Sequence, residues 1–320
     1  MSNKNTNIYL DAKTSFLEPA VNQYGGHMVM TNVKKATRVK YVNIDTRFAD
    51  DYSKTGYYTF TFPEKQCNIK GIRIVTVETP ISFYNISASL GNNSFQITQN
   101  DNTYKIVTVN QYFINKALYT VNNIDNITYK INLITKQYLP DVKVSYTSNS
   151  QNFDLNYTTI TTTDNNNYTI NFNTDPSGNI DNHDLTSKLG RVLGFKNASY
   201  TFNSSTPLVA ESTINLNTLR YLYLVVDEFS TGFTNSFICP LQHSLLSKKI
   251  LGRIALDNMR YPYGSVQVSN TFNALLSSDI RQYNGAVDIQ KIQVQLINEY
   301  GAPVDLNGQD FSFLLEMTYE

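Results

Sequence analysis

The chain has no tryptophan, two cysteines, three histidines and few charges. Cys67 and Cys239 allow at most one disulfide, so no cross-linked framework holds this fold, and free buried thiols are the expectation. His27, His183 and His243 lie far apart in sequence, which leaves no local pair of imidazole ligands for a metal. Charged residues make up 16% of the chain, and 26 Lys plus Arg balance 26 Asp plus Glu. Zero net charge gives no global attraction for nucleic acid or an anionic membrane. A surface this short of charge suits a protein largely covered by neighbours, so assembly is the natural reading. An AT-rich coding sequence would also raise Asn, Ile, Lys and Tyr. Long hydrophobic runs are missing too: the densest, Tyr221 to Val226, is far too short to span a bilayer. The polar start, Met1-Ser-Asn-Lys-Asn5, carries the expectation of no signal peptide.

What is present favours strands. There are 23 Tyr and 17 Phe, with abundant Thr, Ile and Val, the residues that fit a pleated, half-buried surface. With 320 residues and 41% apolar content, one large or two ordinary domains can bury a core. Residues 1–38 show no steady period and turn basic at Lys34, Lys35 and Arg38; they read as an extended N-terminal arm that orders against neighbours. Strand patterns follow at 39–45, at 57–62 up to Pro63, and at 69–77 up to Pro80, with Ile72 and Ile74 opposite Ile69, Val75 and Val77.

Residues 81–215 differ in texture, being rich in Asn, Thr, Ser and Tyr. Short strands are expected at 94–98, 128–134, 142–147 and 168–172. Helices are expected at 110–119, capped by Asn110, and at 185–193, capped by Asp184 and stopped by Gly194. This block reads as a smaller α+β domain inserted into the main one. Strand signals return at 219–227, 249–257, 264–269, 286–298 and 311–319. The 219–226 stretch is apolar on both faces, and a change of parity at Gln290-Lys291 predicts a β-bulge. Three strands before the insertion and five after it make eight, the number of a jelly roll of two antiparallel sheets. The expected organisation is an arm at 1–38, a jelly-roll domain at 39–80 plus 216–320, and an inserted domain at 81–215.

No nucleophile elbow, phosphate-binding loop or dinucleotide fingerprint occurs, so no catalytic residue and no cofactor is expected. Asp181-Asn-His183-Asp184 resembles a metal cluster but reads as a polar loop before a helix, so no metal is expected either. The adjacent carboxylates Asp50-Asp51 and Asp227-Glu228 point to opposite faces of a strand and cannot form a glycosidase pair by themselves. Sequons such as Asn85-Ile-Ser87 arise readily in a chain rich in Asn and Thr. Tyr interleaved with Asn and Thr in 81–215 could offer a glycan-binding face, because aromatic rings stack on sugars and amides bond their hydroxyls.

One stretch stands apart: Arg281-Gln-Tyr283-Asn-Gly285-Ala-Val-Asp288-Ile-Gln-Lys291-Ile, followed by Glu299-Tyr-Gly301, Asp305-Leu-Asn307 and Asp310-Phe-Ser312. It resembles the ending of the penton or minor capsid proteins of nucleocytoplasmic large DNA viruses. Val42-Asn-Ile-Asp45-Thr-Arg47 and Leu189-Gly-x-x-Leu193-Gly-Phe195 resemble two further elements of that family, in the family's order. Ala286 stands where the family often has proline. The resemblance implies a single jelly roll that forms homopentamers at the vertices of a giant-virus capsid, with the insertion outside. It implies major and minor capsid proteins as partners, and a place in the virion after synthesis in the host cytoplasm. The alternatives are a cement protein under the shell or a host-glycan attachment module. Asp45, Arg47, Arg281, Tyr283, Asp288 and Lys291 are then candidates either for fixing strand register within the subunit or for reaching a neighbour's carboxylate.

Overall fold

In the computed structural model the described residues are 37–51, 56–111, 127–148, 156–181, 185–233, 237–241, 244–246 and 248–319. The arm at 1–38 therefore lies, apart from residues 37 and 38, outside the described residues, as does the helix expected at 110–119 apart from residues 110 and 111.

In chain order, β1 (Arg38–Asp45) and β2 (Tyr58–Pro80) come first. Next come β3 (Ser94–Gln99), β4 (Asn102–Val107), α1 (Ile127–Tyr138), β5 (Val142–Ser148), β6 (Asn156–Thr162) and β7 (Tyr168–Asn171). The single-turn α2 (Leu189–Val192), β8 (Ser199–Phe202) and β9 (Leu208–Thr213) follow. The chain then runs through β10 (Tyr221–Asp227), β11 (Ile250–Ala255), β12 (Val266–Asn270), β13 (Leu276–Ser278), β14 (Arg281–Ile297) and β15 (Ser312–Tyr319). The fold is all-β in class, built of curled antiparallel sheets. Among the described residues no helix is long and apolar enough to cross a membrane.

Eight strands bond into one sheet in the order β1-β15-β2-β14-β10-β11-β13, with β12 added on β2. β2 is the spine. Its first half pairs with β14, its second half with β12, and β15 runs alongside from Ile69 to Glu78. β14 in turn passes from β2 to β10. Strands that change partner along their length let one sheet bend around one core. That core gathers Ile44, Ile72, Ile74, Leu222, Ile254, Ile292, Phe313 and Leu315 from six strands.

Pro63 does not end a strand; β2 runs through it, merging the two strands expected at 57–62 and 69–77. The proline falls where four residues of β2, 62–65, face the single Gln290 of β14, an irregularity that needs no ladder donor there. The parity change in β14 sits where the sequence places it: Ile289 and Ile292 are buried and the two residues between them exposed. Ile72 and Ile74 do not oppose Ile69 and Val77; all four line the same core. Against β15, Lys70 and Val75 are extra residues on β2, and each extra residue turns the following side chains to the other face. β10 is buried on both faces within the chain, its second face lying against Cys239, Ile250 and Ile297. Cys239 is buried as expected, but Cys67 is exposed, and both thiols are free.

A second core holds side chains from Ile86 to Leu216, enclosed by the sheets β4-β3-β7-β8 and β5-β6-β9 and by α1. The strand expected at 128–134 is α1 instead. Ile127, Ile131 and Thr135, four residues apart, are buried together with Thr128, so the helical period overrides the β-branched composition. The helix expected at 185–193 is a 3-10 turn over Leu185–Ser187 followed by α2, with Lys188 in extended conformation between them.

Candidate functional site

The residues at issue occupy joints of the main sheet. Asp45 ends β1 opposite Ser312 of β15. Its carboxylate accepts from the Arg47 backbone N–H at 3.0 Å, capping the 3-10 turn Thr46–Phe48, and from the Arg47 guanidinium at 3.0 and 2.5 Å. Thr46 is fully buried. Its N–H donates to the Phe311 carbonyl at 3.0 Å, and its hydroxyl donates to Asp310 at 2.8 Å while accepting the Phe311 N–H at 3.1 Å. The element 42–47 is thus stitched to the element 305–313. The same tie continues at the Asp305-Leu-Asn307 turn. Asp305 accepts the Asn307 N–H at 2.9 Å, Ser82 donates to the Leu306 carbonyl at 2.6 Å, and the Asn307 amide donates back to the Ser82 carbonyl.

The hydrogen bond from the Arg47 guanidinium holds the Asp45 carboxyl below the usual carboxylate range. A carboxyl so depressed stabilises the fold fully above its unfolded pKa, and the contribution is lost as pH falls through the folded value. Arg47 is mostly exposed, so water screens the pair. Asp45→Asn is therefore expected to cost only about 1 kcal/mol near neutral pH. The gap from wild type should narrow as pH falls below the usual carboxylate range, read from urea midpoints at neutral and at acidic pH.

Arg281 opens β14 and is 1% exposed. Nη1 donates to the Val226 carbonyl and to Glu228 Oε2, both at 2.7 Å. Nη2 donates to the carbonyls of Lys249 at 2.8 Å and Ile250 at 3.2 Å. The guanidinium also lies 4.6 Å from the centre of the Phe233 ring, in cation–π range. One side chain therefore joins the end of β10 to the start of β11. Tyr283, 7% exposed, meets Phe233 edge-on at 6.3 Å, and burial, with the charge of Glu228 second, pushes its phenol well above the usual value. Lys249 completes the group, donating to Asp227 at 2.6 Å and to the Ser230 carbonyl at 2.8 Å. Glu228 is the partner that sequence reasoning missed. The signal was a carboxylate ending the strand that is apolar on both faces, where only a buried cation could accompany it.

Asp288 is half exposed. It accepts from Lys65 at 2.9 Å and from the N–H of Asn68 at 3.0 Å. Asn68 has φ 58°, and with Cys67 it makes up the two residues of β2 between Gln66 and Ile69 that face the single Asp288 of β14. Asp288 thus ties down a bulge, and the Lys65 bond holds its carboxyl below the usual range. Lys291 is exposed opposite Thr61 and makes no ion pair with a described residue. The structure brings Asp45 to Arg47 and Arg281 to Tyr283. It leaves Asp288 and Lys291 apart from both pairs and from each other.

The element at 189–195 belongs to the second core, where Leu189, Leu193 and Phe195 are buried. A Cβ on Gly190 would lie 2.4 Å from the Phe172 ring, and Phe172 stacks on Phe195 at 5.0 Å. Gly194 has φ +98°, and a Cβ there would sit 2.1 Å from the Ser212 carbonyl oxygen. Residues 182–184 of the metal-like stretch lie outside the described residues, and Asp181 pairs with the buried Lys188. Among the described residues no group of three or more His, Cys, Asp or Glu is placed to hold a metal ion.

No family model and no curated protein matches the chain. Solved structures similar to it include two viral ones. The mavirus penton protein is 9% identical with a TM-score of 0.41, covering 88% of this chain and 99% of that one. A chain of the Sputnik virophage is 11% identical with a TM-score of 0.37, covering 88% and 98%.

Proposed function

We propose that this chain is a structural subunit of a viral capsid, the penton capsomer of a large DNA virus, assembling as a homopentamer at icosahedral vertices. The observation that carries the reading is how the residues of the resemblance are used. Asp45, Thr46, Asp310 and Phe311 join the first strand to the last, Arg281 joins β10 to β11, and Asp288 secures the bulge in β2. Stretches far apart in sequence thus share one task, fixing strand register, which is what a common scaffold would retain. The main sheet is read as a jelly roll in which β2 and β14 cross between two layers. The second core is read as a domain inserted at 81–215 and facing outward.

Among the described residues the sheet also has an open edge suited to assembly. β1 is an outermost strand, and its Val39 and Tyr41 are 49% and 58% exposed. An unprotected edge of this kind invites pairing with another chain. Major and minor capsid proteins are the remaining partners in this reading, and the virion is the location. Native mass spectrometry of the purified protein tests it. Assemblies of five copies of the 36.3 kDa chain are the expected species. A monomer that persists at every concentration, or a closed ring of another number, would overturn the vertex assignment.

A further inference from the structure

A cleft of about 490 Å³ opens where the second core meets the main sheet. Both sides build it. Arg191 and Val192 come from the second core, Leu219 to Tyr221 from the entry to β10, and Asn298 to Tyr300 from the turn after β14. Thr186 and Tyr300 bond across it, hydroxyl to hydroxyl, at 3.0 Å.

Its lining has unused polar capacity. Arg191 and Arg220 are exposed and form no ion pair with a described residue. Glu299 is the carboxylate of the cleft, and it accepts the Arg220 backbone N–H at 2.7 Å, while the Arg220 guanidinium bonds to no described residue. Asn298 is 3% exposed; its amide oxygen takes the N–H groups of Tyr300 and Ala302, while its NH₂ bonds to no described residue. Among the described residues Asn215 likewise uses only its oxygen, on the Asn217 N–H, and the side-chain amide of Asn217 bonds to none. The half-buried ring of Tyr300 lines the same cleft, as does that of Tyr221, one face of which lies under the Arg253 guanidinium at 4.2 Å.

We propose that this cleft binds a short acidic saccharide. Two guanidiniums on the cleft wall supply donors for a carboxylate. The amides match the alternating donors and acceptors of sugar hydroxyls, and a tyrosine face accepts the C–H side of a pyranose. The volume suits a ligand of two or three sugar rings. The site does not depend on the vertex assignment, and either can fail alone.

The test is calorimetric titration of the full chain with 3′-sialyllactose, lactose and citrate. Saturable binding of sialyllactose is expected, with lactose and citrate each weaker by about tenfold or more. Arg220→Gln and Arg191→Gln should each weaken sialyllactose by about tenfold without moving the melting temperature. Asn298→Ala supplies a second, uncharged probe of the same cleft. Three outcomes would overturn the proposal: no binding up to about 10 mM, unchanged affinity in the double arginine variant, or citrate binding as well as sialyllactose.

Discussion

Replacing Arg281 with methionine is expected to destabilise the protein by about 3–5 kcal/mol, the usual cost of breaking a buried ion pair from one side. Methionine fills much of the same volume but leaves Glu228 charged, buried and without its cation. The carbonyls of Val226, Lys249 and Ile250 also lose a donor. The double variant Arg281→Met/Glu228→Leu should recover most of the loss, because it removes both charges together. Guanidinium denaturation of the three proteins reads this directly. A loss below about 1 kcal/mol in the single variant would show that the pair is dispensable. Had Arg281 reached a neighbour's carboxylate, the variant would fold normally and fail only to assemble. With Arg281 1% exposed and its guanidinium bonded to four internal acceptors, failure to fold comes first.

The second large effect is expected at Gly194. Gly194→Ala places a methyl group 2.1 Å from a backbone oxygen, at a φ that side chains avoid. The neighbour cannot yield easily, since the Gly194 carbonyl itself accepts both the N–H and the hydroxyl of Ser212, at 3.0 and 2.8 Å. Strain and overpacking together should cost about 3 kcal/mol or more. Gly308→Ala is the control: it has φ +73° but nothing within 4 Å, so it should lose only about 1 kcal/mol of backbone strain. Equal melting temperatures for the two variants would show that the close approach at Gly194 does not matter.

Much of the main sheet was legible because its strands alternate plainly. The parity change at Gln290-Lys291 announces a bulge without any structural help, since period-2 burial admits no other simple account. The errors have specific causes. Pro63 stops a strand only where its missing N–H would be needed, and residues 62–65 face a single residue of β14. Bulges at Lys70 and Val75 are hidden because Ile69, Ile72, Ile74, Val75 and Val77 put apolar residues on both parities of the stretch. In 127–138 strand formers at helical spacing let composition mislead and period inform. For the joints, the sequence showed which residues were unusual but not whom they met. Arg281 and Glu228 are 53 residues apart, and only the folded sheet makes them neighbours.

The path of β2 also bears on how the molecule can be made. Residues 58–80 emerge from the ribosome early, yet their partners β14 and β15 begin only at Arg281 and Ser312. β1 must wait still longer, for Arg38 pairs with Tyr319. Until then most of β2 is without its ladder. Closing such distant contacts is slow, and an unpaired edge is prone to wrong partners meanwhile. The second core has no such delay, since its strands and α1 lie between Ile86 and Leu216 and can condense while synthesis continues. A chain interrupted before residue 281 would therefore carry a formed second core and a main sheet without its centre, a product for proteolysis rather than for assembly.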